Sequence, residues 1–200
     1  MKKICFYQID DREYNSIELS KASISKLAEH NHAEYRFISK HPETKSTLPD
    51  NITAYFSKWY IARELLNEFD VIVYFDTDVI NTEVYKIDQY PNHKEIYLTS
   101  CSYMIVSGHF CITAGDHGIR FLDNVIKTLE TAELDDMFFM NRYNRKAGIY
   151  DEYGPLYTLI HDLDNVLPYV EFLKPREYLS ILQYELFGTS DYNVEYDATD

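Results

Sequence analysis

Val71-Ile72-Val73-Tyr74-Phe75-Asp76-Thr77-Asp78-Val79-Ile80 is a dry run of β-formers that ends in two carboxylates one residue apart. Val71 to Phe75 shows no polar alternation and is rich in β-branched and aromatic residues, as suits a strand covered on both faces in a largely parallel sheet. Such a strand is central, and open α/β sheets bind ligands in the crevice outside the carboxyl ends of their central strands. Asp76 and Asp78 emerge there. In extended chain, residues i and i+2 point to the same side with about 6.6 Å between Cα atoms, so both carboxylates would converge on one ion while Thr77 points away. Two hard oxygen donors with open coordination positions suit Mg²⁺ or Mn²⁺ carrying a diphosphate. The competing reading is that a pair of aspartates after a strand only makes a turn or a helix cap.

The 200 residues, 46% apolar and 16% aromatic, suffice for one large α/β domain and leave no room for a second full one. A net charge of -14 argues against nucleic acid or an anionic membrane as partner, and an anionic ligand would need a metal ion or a few placed cations. Cys5, Cys101 and Cys111 lack metal-ligand spacing and sit in apolar segments, which reads as reduced core residues. Met1-Lys2-Lys3 is not followed by the long apolar region of a signal peptide, and no later run approaches a membrane span. The expectation is a cytoplasmic, intracellular setting.

Lys3 to Ile9 reads as a first buried strand running into Asp10-Asp11-Arg12-Glu13. Ser16 caps a helix to about His30, and Tyr35 to Ile38 closes a βαβ unit. Residues 39–50, with Pro42 and Pro49, read as a surface loop. From about Thr53 to Phe69, Tyr55, Trp59, Ala62, Leu65, Leu66 and Phe69 fall on one helical arc, with Ser57, Glu64, Asn67 and Glu68 opposite. Lys58 lies inside the apolar arc. Its stem can be buried while its head either reaches the crevice of Asp76 and Asp78 or snorkels to solvent. Glu83 to Tyr90 reads as a short strand or helical turn. Ile96 to Thr99 and Tyr103 to Val106 follow as strands, and Ser107 to Ile112 continues extended, with Gly108 where backbone or ligand could approach closely. His109 in that strand reads as a structural histidine rather than a ligand. Asp116 to Thr131 is an amphipathic helix, Leu134 to Tyr143 a further one, and Val170 to Leu173 a late strand.

Arg142, Arg145 and Lys146 form the only dense basic cluster, read either as a phosphate or acceptor contact or as a solvated helix end. Asp151 and Glu152 form a second acidic site. Asp151 can cap a short helix beginning near Glu152.

The order of Lys58 on a helix, an apolar strand and then Phe75-Asp76-Thr77-Asp78 resembles the nucleotide-sugar site of GT-A glycosyltransferases, whose signature is D-x-D. More narrowly, it resembles the family-34 type galactosyl- and xylosyltransferases, with Ser107-Gly108-His109-Phe110 matching their Gly-x-Phe strand and Phe121-Leu122-Asp123 the portion after it. The resemblance extends to the capsid-glycan transferases of large algal viruses, with no motif of its own to carry it. It covers roughly residues 1 to 175 by order of elements. What it implies is a GT-A (nucleotide-diphospho-sugar transferase) fold, a central mostly parallel mixed sheet flanked by helices, in one catalytic domain over 1–200. It also implies a UDP-sugar donor and a glycan or glycoprotein acceptor, with Mn²⁺ or Mg²⁺ on Asp76 and Asp78. Gln8, Ile9 and Asp10 would border uridine. Lys58, Thr77 and Gly108 would join the nucleotide-sugar site, and Asp151 and Glu152 would stand at the catalytic, donor-sugar end. Two departures stand out. Val106 replaces the family's asparagine two residues before the glycine, and no histidine follows His161 to act as third metal ligand. The expectation drawn from the second is a chain that continues past Asp200 or an ion completed by water, and, if the source is viral, a place in the host cytoplasm.

Two other functions compete. The same decapeptide fits the nucleophile motif of haloacid-dehalogenase-like phosphatases, in which Asp76 would attack phosphorus. That motif opens the first strand of its family, whereas here a βαβ unit precedes it, and Gly115-Asp116 is followed four residues later by Arg120 and not by an acid. The third class is a sugar-nucleotide binding module without catalysis, separated from an enzyme by turnover with an acceptor.

Overall fold

The computed structural model describes residues 2–13, 15–45, 50–81, 87, 94–101, 104–131, 165 and 167–173. In chain order these form β1 (Ile4–Ile9), α1 (Asn15–His30), β2 (Glu34–Ile38), α2 (Asp50–Leu65), β3 (Val71–Phe75), β4 (Ile96–Cys101), β5 (Met104–Thr113), α3 (Asp116–Thr131) and β6 (Val170–Leu173). The strands make one sheet in the order β2-β1-β3-β5-β4-β6. β1 pairs in parallel with β2 and β3, and β6 in parallel with β4, while β5 runs antiparallel to both β3 and β4. The sheet is therefore mixed with a parallel majority, and β3 is interior as its dry sequence requires.

Strand alternation sorts the core. Ile72 and Tyr74 of β3 join Cys5, Tyr7, Phe110 and Ile112 on the face covered by α2 and α3. Val71, Val73 and Phe75 join Phe6 and Cys111 on the face covered by α1. A strand apolar on both faces thus has a helix layer on each, the physical condition for losing alternation. α1 presents Ile17, Ser20, Ile24, Leu27 and Ala28 to the sheet. It ends in a Schellman arrangement: Ala33 N donates to Ala28 O at 2.9 Å and His32 N to Glu29 O at 3.0 Å, with His32 at φ 53°. That left-handed residue turns the chain directly into β2.

Three expectations shift. The helix expected over 53–69 begins earlier and stops at Leu65, so that Phe69 is buried from the connection to β3 and not from the helix. Ser57, expected on the solvent face, is fully buried, because His41 from the loop after β2 lies over it with Nδ1 at 2.8 Å from its hydroxyl. The segments expected as a strand at 103–106 and extended chain at 107–112 are one strand, β5. The element expected at Glu83 to Tyr90, apart from Ile87, the helix expected at Leu134 to Tyr143, the basic cluster Arg142, Arg145 and Lys146, and both Asp151 and Glu152 lie outside the described residues.

α2 is fixed in rotation by two contacts. Trp59 stacks on Phe110 with centroids 4.2 Å apart and planes 10° from parallel, and Tyr7 Oη donates to the Lys58 carbonyl at 2.7 Å. An aromatic pair of this kind contributes about 0.5–1.5 kcal/mol beyond its burial. These contacts sit at Lys58 and at the residue after it, and the Lys58 side chain runs toward Ser107 and Asp76.

Candidate active site

β3 stops at Phe75 and the chain turns. Val79 N donates to Asp76 O at 3.2 Å, closing Asp76-Thr77-Asp78-Val79 as a turn. The extended geometry assumed for the two aspartates is therefore replaced. Asp76 continues the alternation of Ile72 and Tyr74 toward α2, Thr77 is buried and Asp78 is exposed. Past the turn the chain runs along α1, where Ser20 Oγ donates to Val79 O and Ser23 Oγ accepts from Asn81 N at 2.9 Å.

Lys58 is 3% exposed, so its head does not snorkel. Its ammonium donates to Ser107 Oγ at 3.0 Å and Ser107 O at 3.2 Å, and lies 3.6 Å from Asp76 Oδ1 and 5.1 Å from the Tyr74 ring centroid. A bulge delivers Ser107. Leu98 pairs with Phe110 and the next residue, Thr99, with Val106, so Ser107, Gly108 and His109 fall between the partners of two consecutive β4 residues. Extra residues of this sort bend a strand and re-aim its groups. On the β3 side the ladder persists one step further, with Asp76 N donating to Gly108 O at 2.8 Å. The absence of a side chain at Gly108 makes room for the carboxylate, since a Cβ there would come 2.9 Å from Asp76 Oδ2 and push it aside. Tyr74 Oη donates a short hydrogen bond to the other oxygen, Oδ1.

The end of β1 reaches the same turn. Asp10, 4% exposed, accepts from the Thr77 hydroxyl at Oδ2, and Arg12 forks onto it through Nε to Oδ1 and Nη2 to Oδ2, each at 2.8 Å. The Arg12 backbone N also donates to Oδ1 at 3.0 Å. Burial pushes the Asp10 carboxyl up as the largest single effect, but the bonds from Arg12 and Thr77 together outweigh it and hold the carboxyl below its ordinary value. Gln8 is fully buried and its amide is engaged internally: Nε2 donates to Ser20 Oγ at 2.8 Å and to Asp76 O at 3.0 Å, and Oε1 accepts from Tyr35 Oη at 2.8 Å. Gln8 thus braces the turn from beneath. Ile9, placed beside it at the sequence level as a nucleotide neighbour, puts its side chain into the core, leaving only backbone to border a ligand.

His109 behaves as a structural histidine. It is 1% exposed, its Nδ1 is 2.9 Å from Tyr74 O, and its ring lies 4.6 Å from that of Phe75. Burial pushes its pKa down to about 4, with the bond to the Tyr74 carbonyl opposing, so at neutral pH it is uncharged and donates from Nδ1.

The structure thus gathers Gln8, Asp10, Lys58, Asp76, Thr77, Asp78 and Gly108 at the carboxyl ends of β1 and β3. Asp10, Asp76 and Asp78 set against Arg12 and Lys58 leave one net negative charge, which repels a diphosphate and favours a cation. Among the described residues no three His, Cys, Asp or Glu side chains come together to hold a metal ion. Asp76 and Asp78 are the hard oxygen donors here, the donor type that Mg²⁺ and Mn²⁺ take together with water and phosphate oxygens. Tyr74, Ser107 and Arg12 belong to the site without having been singled out from sequence. Tyr74 could have been read from its i-2 spacing to Asp76, and Arg12 from the tendency of Asp to bond the amide two residues on. Ser107 could not, because a strand glycine such as Gly108 marks an irregularity without saying which neighbour it delivers to Lys58.

No family model matches the chain, and no curated protein matches it in sequence. Among solved structures, the fold is similar to that of a glycosyltransferase involved in the glycosylation of the major capsid of PBCV-1, with a TM-score of 0.61. The match covers 86% of this chain and 82% of that one, at 11% identity. The likeness is one of fold, of the GT-A-like kind, and it bears out the expected α/β architecture.

Proposed function

We propose that this protein is a glycosyltransferase that moves a sugar from a UDP-sugar of glucose, galactose, xylose or rhamnose type to a hydroxyl of a glycan or glycoprotein acceptor, with a divalent cation. The observation that carries the reading is the Asp76-Thr77-Asp78 turn at the carboxyl end of an interior strand, with the ammonium of Lys58 buried 3.6 Å from its first carboxylate. The fold shared with a glycosyltransferase supports it. So does the complete β1-α1-β2 unit before β3, the feature that counts against the phosphatase motif.

In this reading Asp78 and Asp76 would hold Mn²⁺ or Mg²⁺, which when bound offsets the charge that develops on the departing diphosphate. Lys58 balances the Asp76 charge within the protein and keeps the carboxylate at the mouth of the site. Thr77 and Asp10 tie the loop after β1 to the turn, so the wall bordering the nucleotide and the wall bordering the diphosphate move as one. The bulge at Ser107 to His109 forms the third wall. Asp151, or Glu152, would hold donor hydroxyls or take the acceptor's proton, as a glycosyl centre of oxocarbenium character requires. No helix among the described residues is long and apolar enough to cross a membrane.

Calorimetry with UDP and a panel of UDP-sugars, with Mn²⁺ and with chelator, tests the reading. Binding that needs the ion is expected. Equal UDP binding in chelator removes the metal from the proposal, and no binding of any nucleotide-sugar removes the transferase.

A further inference from the structure

We propose that Tyr74 is a positioning residue, one that sets the rotation of the Asp76 carboxylate about its last bond and so presents it correctly to a divalent cation; this rests on the metal-dependent reading above. The last torsion of aspartate is broad and nearly two-fold, so a half-exposed carboxylate is not oriented by its own chain. Asp76 is 36% exposed at its side chain and needs an external reference.

Tyr74 is built to be that reference. Its ring is held by Tyr7 and by Phe110, each with centroids 5.1 Å away, and its carbonyl is held by His109 Nδ1 at 2.9 Å. It is 3% exposed, so the phenol is fixed on every side but one. On that side the hydroxyl donates to Asp76 Oδ1, the same oxygen that Lys58 Nζ faces at 3.6 Å. The ammonium also lies over the Tyr74 ring at 5.1 Å from its centroid. Both donors therefore draw Oδ1 toward α2, which turns Oδ2 to Gly108, where the absent side chain leaves the space. A core hydroxyl on a strand apolar at every other position, aimed at the carboxylate two residues on, is otherwise unexplained by packing.

The test is the affinity of Mn²⁺, with and without UDP, read by the electron paramagnetic resonance of the free and bound ion, on wild type, Tyr74→Phe and Tyr97→Phe. Tyr97 carries a comparable hydroxyl, bonded to the Lys94 carbonyl at 3.1 Å on the other side of the sheet. Tyr74→Phe keeps the ring and its packing, and the half-exposed Asp76 recovers water in place of the lost bond. Its melting temperature should stay within about 3 °C of wild type while Mn²⁺ affinity falls about tenfold, the usual effect of losing a partner that orients a metal ligand. Tyr97→Phe should leave affinity unchanged. Equal affinity in Tyr74→Phe and wild type overturns the positioning role, as does an equal loss in both variants, which marks general loosening. If wild type binds no Mn²⁺ even with UDP, the metal-dependent reading itself fails and takes this inference with it.

Discussion

Replacing Gly108 with alanine places a methyl carbon 2.9 Å from Asp76 Oδ2, against the roughly 3.3 Å or more that carbon and oxygen tolerate. The next atoms, Asp76 Cγ and Cβ, lie at 3.6 and 3.9 Å and can stay where they are. The obstructed atom is the end of a side chain, so the carboxylate rotates and the backbone holds. Rotation draws Oδ1 from the Tyr74 hydroxyl and lengthens its approach to Lys58. A hydrogen bond to a charged group is worth about 1.5–3 kcal/mol, but water reaches this carboxylate and recovers part of it. Alanine also removes the backbone freedom of a glycine within a strand, a gain of up to about 1 kcal/mol. The net change in stability should therefore be at most about 1 kcal/mol. Ligand binding has no such recovery, because a misaligned carboxylate no longer meets the ion. The dissociation constant of UDP with Mn²⁺ should rise about 10- to 100-fold, each tenfold being about 1.4 kcal/mol. Titration calorimetry gives the dissociation constant and urea unfolding the stability. Unchanged affinity, or a stability loss of several kcal/mol that signals backbone displacement, refutes the reasoning.

Asp78→Asn should abolish UDP binding with Mn²⁺ and leave the urea midpoint unchanged, since Asp78 is exposed; retained affinity in the titration would contradict it. Lys58→Ala should weaken donor binding and also lower stability, because it removes a buried ammonium that bonds Ser107 and faces Asp76; loss of stability alone, with binding constants intact, would reduce Lys58 to packing. Asp151→Asn should lower turnover about 100-fold or more with UDP affinity nearly unchanged, whereas a mere helix cap would show as about 1 kcal/mol of stability with normal turnover. Acid should destabilise the fold through His109: its folded pKa of about 4 lies below the ordinary 6.5, so the unfolded chain binds the proton first. The contribution is complete above pH 6.5 and is lost as pH falls toward 4, amounting to about 2 kcal/mol by pH 5 at about 1.4 kcal/mol per unit. Urea unfolding at pH 7 and 5 should show that slope in wild type and its loss in His109→Gln.

The primary sequence by itself determined that β3 is an interior strand covered on both faces. The unalternating run from Val71 to Phe75 demands two covered faces, and the helical arcs of α1 and α3 supply covers, so an interior strand ending in Asp76 and Asp78 followed from local composition. Lys58 was legible as a cation on a buried face because a 3.6-residue period is a local property. What needed tertiary structure was everything that depends on which segments meet. The turn at 76–79 replaced extended chain because Thr77 finds Asp10, 67 residues earlier. Ser57 is buried with His41 of a distant loop bonded to its hydroxyl, and a helical wheel does not know which loop returns. Gln8 reads as a site residue by position, yet its amide is taken up by Ser20, Tyr35 and the Asp76 carbonyl. The bulge that brings Ser107 to Lys58 is a mismatch between two strands, and a mismatch belongs to the pair and is written in neither sequence alone.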